Sequence, residues 1–526
     1  MLFVKKWAGQ CSAIPFAGRG AAPAVVAALL ACAWPGVALA QGRAQAAMAP
    51  AVTAPTAAAP TAAAATATAS MAAAGQAALP RGFASALAKA NIPQEAVSVW
   101  VAPADGNGQP RVAHRADQLM SPASTMKLVT TYAALDQLGP AYTWRTRIYT
   151  DGAIDNGSLR GNVYIQGGGD PKLVMERLWL LLRQLQQRGV QVIVGDIVLD
   201  RSVFELPAHD AAAFDDEPLR PYNAAPDGLL INFKSVVMRF VPDMGKGVAH
   251  VQISPPMAQL EVPATVPLST NAKTCPASWR QGLRLDVSEP ERWRFAGSYP
   301  AACGELNWPV AYPDPEAFAN KAVEGMWRAL GGSLTGRVHA GVTPAALRPM
   351  IVEASLSLPE IVRDVNKYSN NVMADHVFLA LAGVGGQGRN MRPSDAQANV
   401  LQWWERRIGN PRASLVMDNG SGLSRTARVT AHALGRMLQN AWHSAVMPEL
   451  LSSMPAVGVD GTMRRSRASG SAHIKTGSLR DVNAIAGYVH GHSGRRYVLV
   501  AFVNHPNAAA VRGAAFDSLI DWVAQD

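Results

Sequence analysis

From about residue 145 to residue 345 the chain changes texture, and that interval constrains the fold more than any other feature. Short strand-like runs recur there, at 163–166, 190–199, 236–241, 248–253 and 283–287, with Pro and Gly between them. An interval of this length without structure of its own is too long for a loop. It reads as one or two β-rich domains inserted into something else. What flanks it is mixed. Ahead of it the patterning gives a helix over 83–90, a strand over 97–101, a turn at Asp105-Gly106-Asn107-Gly108 and a helix over 124–138 closed by Gly139-Pro140. After it come helices over 358–382, 393–407 and 430–441, strands over 484–490 and 497–503, and a closing helix over 508–523.

Composition excludes several classes. The 526 residues suit about three domains, and 49% hydrophobic side chains with 16% charged ones rule out a wholly disordered chain. Past the first 40 residues no apolar run approaches the ~18 that a membrane span needs, which excludes a multi-span protein. The formal charge is +10, but Lys and Arg are scattered and form no nucleic-acid patch. Such a surface suits solubility first, and also peripheral contact with an anionic polymer or a membrane. No Cys/His spacing resembles a metal site. Gly167-Gly168-Gly169 lacks the Gly-Lys-Ser/Thr of a phosphate loop and reads as a tight turn.

The first 40 residues read as a secretory signal. Lys5 and Lys6 precede an apolar stretch over 21–33, and Ala38-Leu39-Ala40 has the small-x-small form of a cleavage site. The destination is the periplasm of a bacterium. Leu29-Leu30-Ala31-Cys32 is the competing lipoprotein reading, with Cys32 as anchor. Residues 41–80, rich in Ala, Pro and Thr, form a flexible tether. Export leaves Cys275 and Cys303, whose presence in an oxidising compartment suggests one disulfide rather than two buried thiols.

Three short motifs carry chemistry. Ser124-Thr125-Met126-Lys127 opens a helix, and its i, i+3 spacing puts serine and lysine on one face. A serine needs an adjacent base, and a desolvated lysine can be one. Ser369-Asn370-Asn371, on a helical run, offers a hydroxyl and an amide to relay a proton and hold a substrate amide. Lys475-Thr476-Gly477, followed by Ser478, sits where a strand opens; it supplies a cation, two hydroxyls and a glycine over which a substrate backbone can lie. Ser269-Thr270-Asn271 repeats the second pattern without helical context. His376, Asp364, Asp375 and Trp403-Trp404 read as packing or structural residues, with no Gly-x-Ser-x-Gly elbow around Ser124 to suggest a triad.

In the order Ser-x-x-Lys, Ser-x-Asn, Lys-Thr-Gly, the set resembles the active-site serine pattern of penicillin-binding proteins and β-lactamases. More narrowly, the chain resembles class C low-molecular-mass penicillin-binding proteins, the D-Ala-D-Ala carboxypeptidase/endopeptidase group. The 245 positions between Ser124 and Ser369, Gly167–Pro171, Asp418–Arg425 (with one extra Asn) and Asp460-Gly461-Thr462 support the narrower match. The resemblance implies an α+β fold: a discontinuous transpeptidase/β-lactamase-like domain, an antiparallel sheet flanked by helices, with inserted β-rich domains. It divides the chain into transpeptidase-like parts at 81–148 and 350–526, an inserted domain II at 149–235 and 325–349, and a β-rich domain III at 236–324. It implies Ser124 as acylated nucleophile, Lys127 as its base, Ser369 and Asn371 in proton transfer and positioning, and Lys475, Thr476, Gly477 and Ser478 at the substrate carboxylate. The backbone N–H groups of Ser124 and Ser478 would make the oxyanion hole. Asp216, with Asp215 and Glu217 as its alternatives, would meet the amino group of a diaminopimelate side chain. Peptidoglycan stem peptides are then the substrate, β-lactams the inhibitors, and no metal or organic cofactor is called for. A β-lactamase or esterase, and a silent peptidoglycan-binding protein, are the alternatives; the missing Glu-x-x-x-Asn argues against a class A β-lactamase.

Overall fold

The computed structural model describes residues 78–384, 388–410 and 413–526. The signal sequence, nearly all of the tether, and Cys32 lie outside the described residues. Elsewhere the chain builds one central sheet and an insertion.

The central sheet has five antiparallel strands, formed by β1 (Val97–Pro103), β2 (Val112–His114), β3 (Ala472–Leu479), β4 (Val482–His490) and β5 (Arg496–Asn504), in the order β2-β1-β5-β4-β3. Its inner strands β1, β4 and β5 read as nearly unbroken apolar runs because both faces are covered. Val97, Val99, Val101, Leu499, Ala501 and Val503 point to one face, against Phe83 and Leu87 of α1 (Arg81–Lys89) and the closing helix Ala514–Ala524. Trp100, Ala102, Val498, Val500 and Phe502 point to the other, where most of the helices lie. Side chains alternate between the two faces, and burial on both is what leaves the inner strands apolar at nearly every position.

The second layer contains α2 (Lys127–Leu138). Two helices of the insertion follow in chain order, α3 (Met175–Gln187) and α4 (Phe318–Ala329), and then the rest of the layer: α5 (Leu358–Tyr368), α6 (Asn371–Ala380), α7 (Pro393–Arg407) and α8 (Ala431–Trp442). Trp403 and Trp404 are buried in it as expected, each with its indole N–H satisfied, by Asp136 at 2.8 Å and by Ser414 Oγ at 3.1 Å. The single helix expected over 358–382 is two. Ser369 adopts left-handed backbone (φ 58°), and Asn370 restarts the chain as N-cap, its side chain accepting from Met373 N at 3.0 Å.

The insertion holds mixed sheets around its own core. Residues 338–340, 197–200, 163–166, 145–150 and 351–354 form one five-stranded sheet in that order. The strands at 145–150 and 351–354 pair with each other, so the stretches on either side of the expected junctions belong to this sheet. The run 190–199 is two strands in two sheets, divided at Gly195, where a Cβ would come within 2.3 Å of Gly161 O. The insertion is not only β: α3 and α4 pack Leu178, Leu181, Leu182 and Leu185 with Ala322, Val323, Met326 and Trp327 into its core. Residues 235–311 add a second five-stranded sheet and a hairpin, and Cys275 and Cys303 are joined there by a disulfide. No helix among the described residues is long and apolar enough to cross a membrane.

Candidate active site

Ser124 lies in one 3-10 turn, Ala123–Met126, that runs directly into α2. The turn brings Lys127 under it: Nζ is 3.0 Å from Ser124 Oγ. Lys127 is fully buried. Its ammonium also donates to Asn371 Oδ1 at 2.7 Å and to the carbonyl of Ser421 at 2.6 Å. Burial lowers its pKa to about 7, with the negative charge of Asp375 opposing the shift. Asn371 Oδ1, as oriented here, and a carbonyl can only accept. When the amine is neutral, those two partners take its two N–H groups, and its lone pair is left facing the Ser124 hydroxyl. The geometry therefore fits a lysine that takes a proton from Ser124.

The Ser421 carbonyl is placed by a clamp. Gly420 N donates to Asp375 Oδ1 at 3.0 Å, and Thr130 Oγ1 donates to Gly420 O at 2.7 Å. Asn419, the residue extra to the family stretch, closes the loop with its side chain, accepting from Ser421 N (3.1 Å) and Gly422 N (2.9 Å). Gly422, at φ 72°, lies so near the nucleophile turn that a Cβ would meet Ala123 O at 2.1 Å.

The other two motifs converge on the same place. The helix break puts Ser369 at the end of α5 and Asn371 at the start of α6. Lys475 on β3 donates to Ser369 Oγ at 2.9 Å and to Thr476 O at 2.6 Å. It is fully buried, and burial together with the nearby charge of Lys127 drives its pKa well below the usual lysine value. β3 is the edge of the sheet, and its Gly477 presses against the nucleophile turn: a Cβ there would stand 2.6 Å from Pro122 O and 3.0 Å from Ser124 N. Only glycine lets the strand approach so closely. Thr476 Oγ1 donates to Thr462 Oγ1 at 2.7 Å, and Ser478 Oγ lies between Asn483 Oδ1 and Arg512, each at 2.9 Å. All eight motif residues are thus in one cluster of contacts.

Asp216 is exposed, at φ 59°, on the acidic stretch that precedes Tyr222. That stretch reaches the site: Tyr222 O accepts from Asn371 Nδ2 at 3.2 Å, and the Arg425 guanidinium covers the Phe214 ring at 4.3 Å. Asp215 accepts from Tyr222 and Asn223, and Glu217 pairs with Arg220 at 3.1 Å. Both alternatives to Asp216 are thereby occupied. His376 is a buried structural histidine, neutral because burial lowers its pKa to about 4. Its Nδ1 donates to Gly169 O at 2.8 Å, and its Nε2 accepts from Asp227 N at 3.2 Å. Asp364 forms an ion pair with Lys172. Ser269 lies on a strand of the insertion, outside the site.

Ser421, Asp375 and Thr462 are the site residues that motif reading does not assign. A backbone carbonyl has no sequence signature. Asp375, one helical turn after Asn371, carried the signal of shared face.

Comparison with known proteins places the chain as a whole. A D-alanyl-D-alanine carboxypeptidase of Haemophilus influenzae is 26% identical over 442 residues, covering 81% of this chain and 86% of that protein. A D-alanyl-D-alanine carboxypeptidase of Actinomadura is 27% identical over 451 residues, covering 82% and 81%. The crystal structure of penicillin-binding protein 4 from Haemophilus influenzae matches with a TM-score of 0.65 at 24% identity, over 85% of this chain and all of that one. The family model for D-Ala-D-Ala carboxypeptidase 3 (S13) matches residues 79–525. The chain therefore belongs to the S13 family of D-Ala-D-Ala carboxypeptidases.

Proposed function

We propose that the protein hydrolyses the terminal D-Ala-D-Ala bond of peptidoglycan stem peptides through an acyl-enzyme on Ser124. The family carries the carboxypeptidase activity, and the matched Haemophilus influenzae structure is a penicillin-binding protein; the observation that supports these residue roles is the buried Lys127 amine, 3.0 Å from Ser124 Oγ and held by two acceptors.

In this reading Lys127 takes the Ser124 proton as Oγ bonds to the carbonyl carbon of the penultimate D-Ala. The carbonyl oxygen becomes an oxyanion, received by the backbone N–H groups of Ser124 and Ser478, a term worth a few kcal/mol in related chemistry. The C–N bond then breaks. Ser369, whose Oγ accepts from Lys475, gives its proton to the departing amine and is reprotonated by the proton that Lys127 took from Ser124, so terminal D-Ala leaves and Lys127 is again neutral. Water, deprotonated at the same lysine, releases the shortened peptide. Lys475, Thr476 and Ser478 hold the terminal carboxylate, and Gly477 lets the substrate backbone lie along the edge of β3. Penicillin acylates Ser124 by the same first step.

Asp216 is proposed to receive the side-chain ammonium of diaminopimelate, being the carboxylate of its stretch with no recorded side-chain partner among the described residues. Cleavage of D-Ala–diaminopimelate cross-links is the matching endopeptidase reaction. The signal pattern at 1–40 and the tether to residue 80 support export to the periplasm. The division into domains at 149–235, 236–324 and 325–349 within the transpeptidase-like parts is proposed on the same footing.

The test is D-Ala release from a diaminopimelate pentapeptide. Wild-type protein is expected to release one D-Ala per peptide, and Ser124→Ala none. Equal release by both would overturn the assignment.

A further inference from the structure

The Asp460-Gly461-Thr462 loop has no part in the steps above, yet it is built with care. Lys367, buried on α5, forms an ion pair with Asp460 Oδ2 at 2.6 Å, while Asp460 Oδ1 accepts from Ala456 N at 2.8 Å. Gly461, at φ 54°, packs so tightly that a Cβ would meet Lys367 O at 2.5 Å. Backbone bonds from Val457 N to Ala472 O and from Ile474 N to Pro455 O fasten the loop to the first half of β3. The loop therefore covers the start of the edge strand and ends with an exposed Thr462 hydroxyl facing that of Thr476.

In that pair Thr476 donates and Thr462 accepts. The Thr462 proton is directed elsewhere, and no acceptor for it is recorded among the described residues. An anion arriving at Thr476 meets two adjacent hydroxyls, and Thr462 can donate to it while Thr476 turns to do the same. A carboxylate accepts at both oxygens, and hydrogen bonds to a charged group are worth more than neutral ones.

We infer that Thr462 is a specificity-determining residue of the carboxylate site, the second threonine hydroxyl for the free C-terminal carboxylate of the substrate. This rests on the carboxypeptidase reading above. The Lys367–Asp460 pair and Gly461 are positioning residues that hold it against β3.

The experiment compares wild type, Thr462→Val and Thr462→Ser on a D-Ala-D-Ala peptide and on its C-terminal amide. Fluorescent-penicillin labelling of Ser124 and the thermal midpoint are read in parallel. Thr462→Val keeps the side-chain volume and removes the hydroxyl. It is expected to lower kcat/KM on the free acid about tenfold or more, mainly through KM, and to leave the slower amide reaction unchanged. Thr462→Ser is expected to restore the preference for the acid. Equal losses on acid and amide, no rescue by serine, or no change in the valine variant would each overturn the inference while labelling persists. Absence of labelling in wild type would instead overturn the reading on which it rests.

Discussion

A primary amine with two acceptor-only neighbours has one direction left for its lone pair, and at Lys127 that direction is the Ser124 hydroxyl. The groups facing it set when it is neutral: desolvation pushes its pKa down, and the carboxylate of Asp375 on α6, its own pKa raised to about 7 by burial, pulls it back. A base with pKa about 7 works only when deprotonated. The acylation constant for penicillin should therefore rise with pH through a midpoint of about 7 and level off above it. Asp375→Asn removes the opposing charge, so the midpoint should move to lower pH; a flat profile, or a shift upward, would contradict this. For the proposed diaminopimelate contact, Asp216→Ala should lower kcat/KM on a diaminopimelate pentapeptide about tenfold, the scale of a lost charge-assisted hydrogen bond, with penicillin acylation unaffected. The serines and lysines of this site were legible because three short motifs, two of them weak singly, occur together in one order. The Ser421 carbonyl was not, since every residue has one.

At the scale of elements, the site depends on places where regular structure stops. The α5–α6 break turns Ser369 toward Lys475 and starts α6 with Asn371 facing Lys127. The apolar periodicity runs through 358–382, which is why the break was hidden; the Asn370 cap was its one local signal. Helices 393–407 and 430–441 were readable because each buries a single face under a clear period, and the run 190–199 misled because its dividing feature is one glycine. The edge strand β3 has the opposite demand, an approach with nothing in between. Gly477→Ala places a methyl against Pro122 O and Ser124 N, so the strand must move off the nucleophile turn. Displacements near 1 Å cost about a hundredfold in such sites. Penicillin acylation should fall by that order while far-UV circular dichroism stays unchanged; wild-type acylation in this variant would contradict the close approach.

Across the whole molecule, residues at 124–127, 369–371, 421, 462 and 475–478 meet only because the chain leaves the central sheet after α2 and returns before α5 with the insertion complete. The change of texture near 145 and 345 announced that excursion, but strand pairing within it spans long sequence separations that no local pattern encodes. α3 and α4 were missed for a different reason: their amphipathic period is local, but a β-rich reading of the region passed over it. The disulfide closes a loop of 28 positions, a crosslink worth about 3–4 kcal/mol by chain entropy. Replacing Cys275 and Cys303 by serine should lower the thermal midpoint while leaving penicillin acylation at 25 °C unchanged, because no motif residue lies in that sheet. The convergence itself is tested most directly by incubating the protein with penicillin and locating the covalent adduct by peptide mass spectrometry. One penicilloyl group on Ser124, absent from Ser124→Ala and strongly slowed in Lys127→Met, is the expected result; an adduct at another residue, or none on folded wild-type protein, would contradict it.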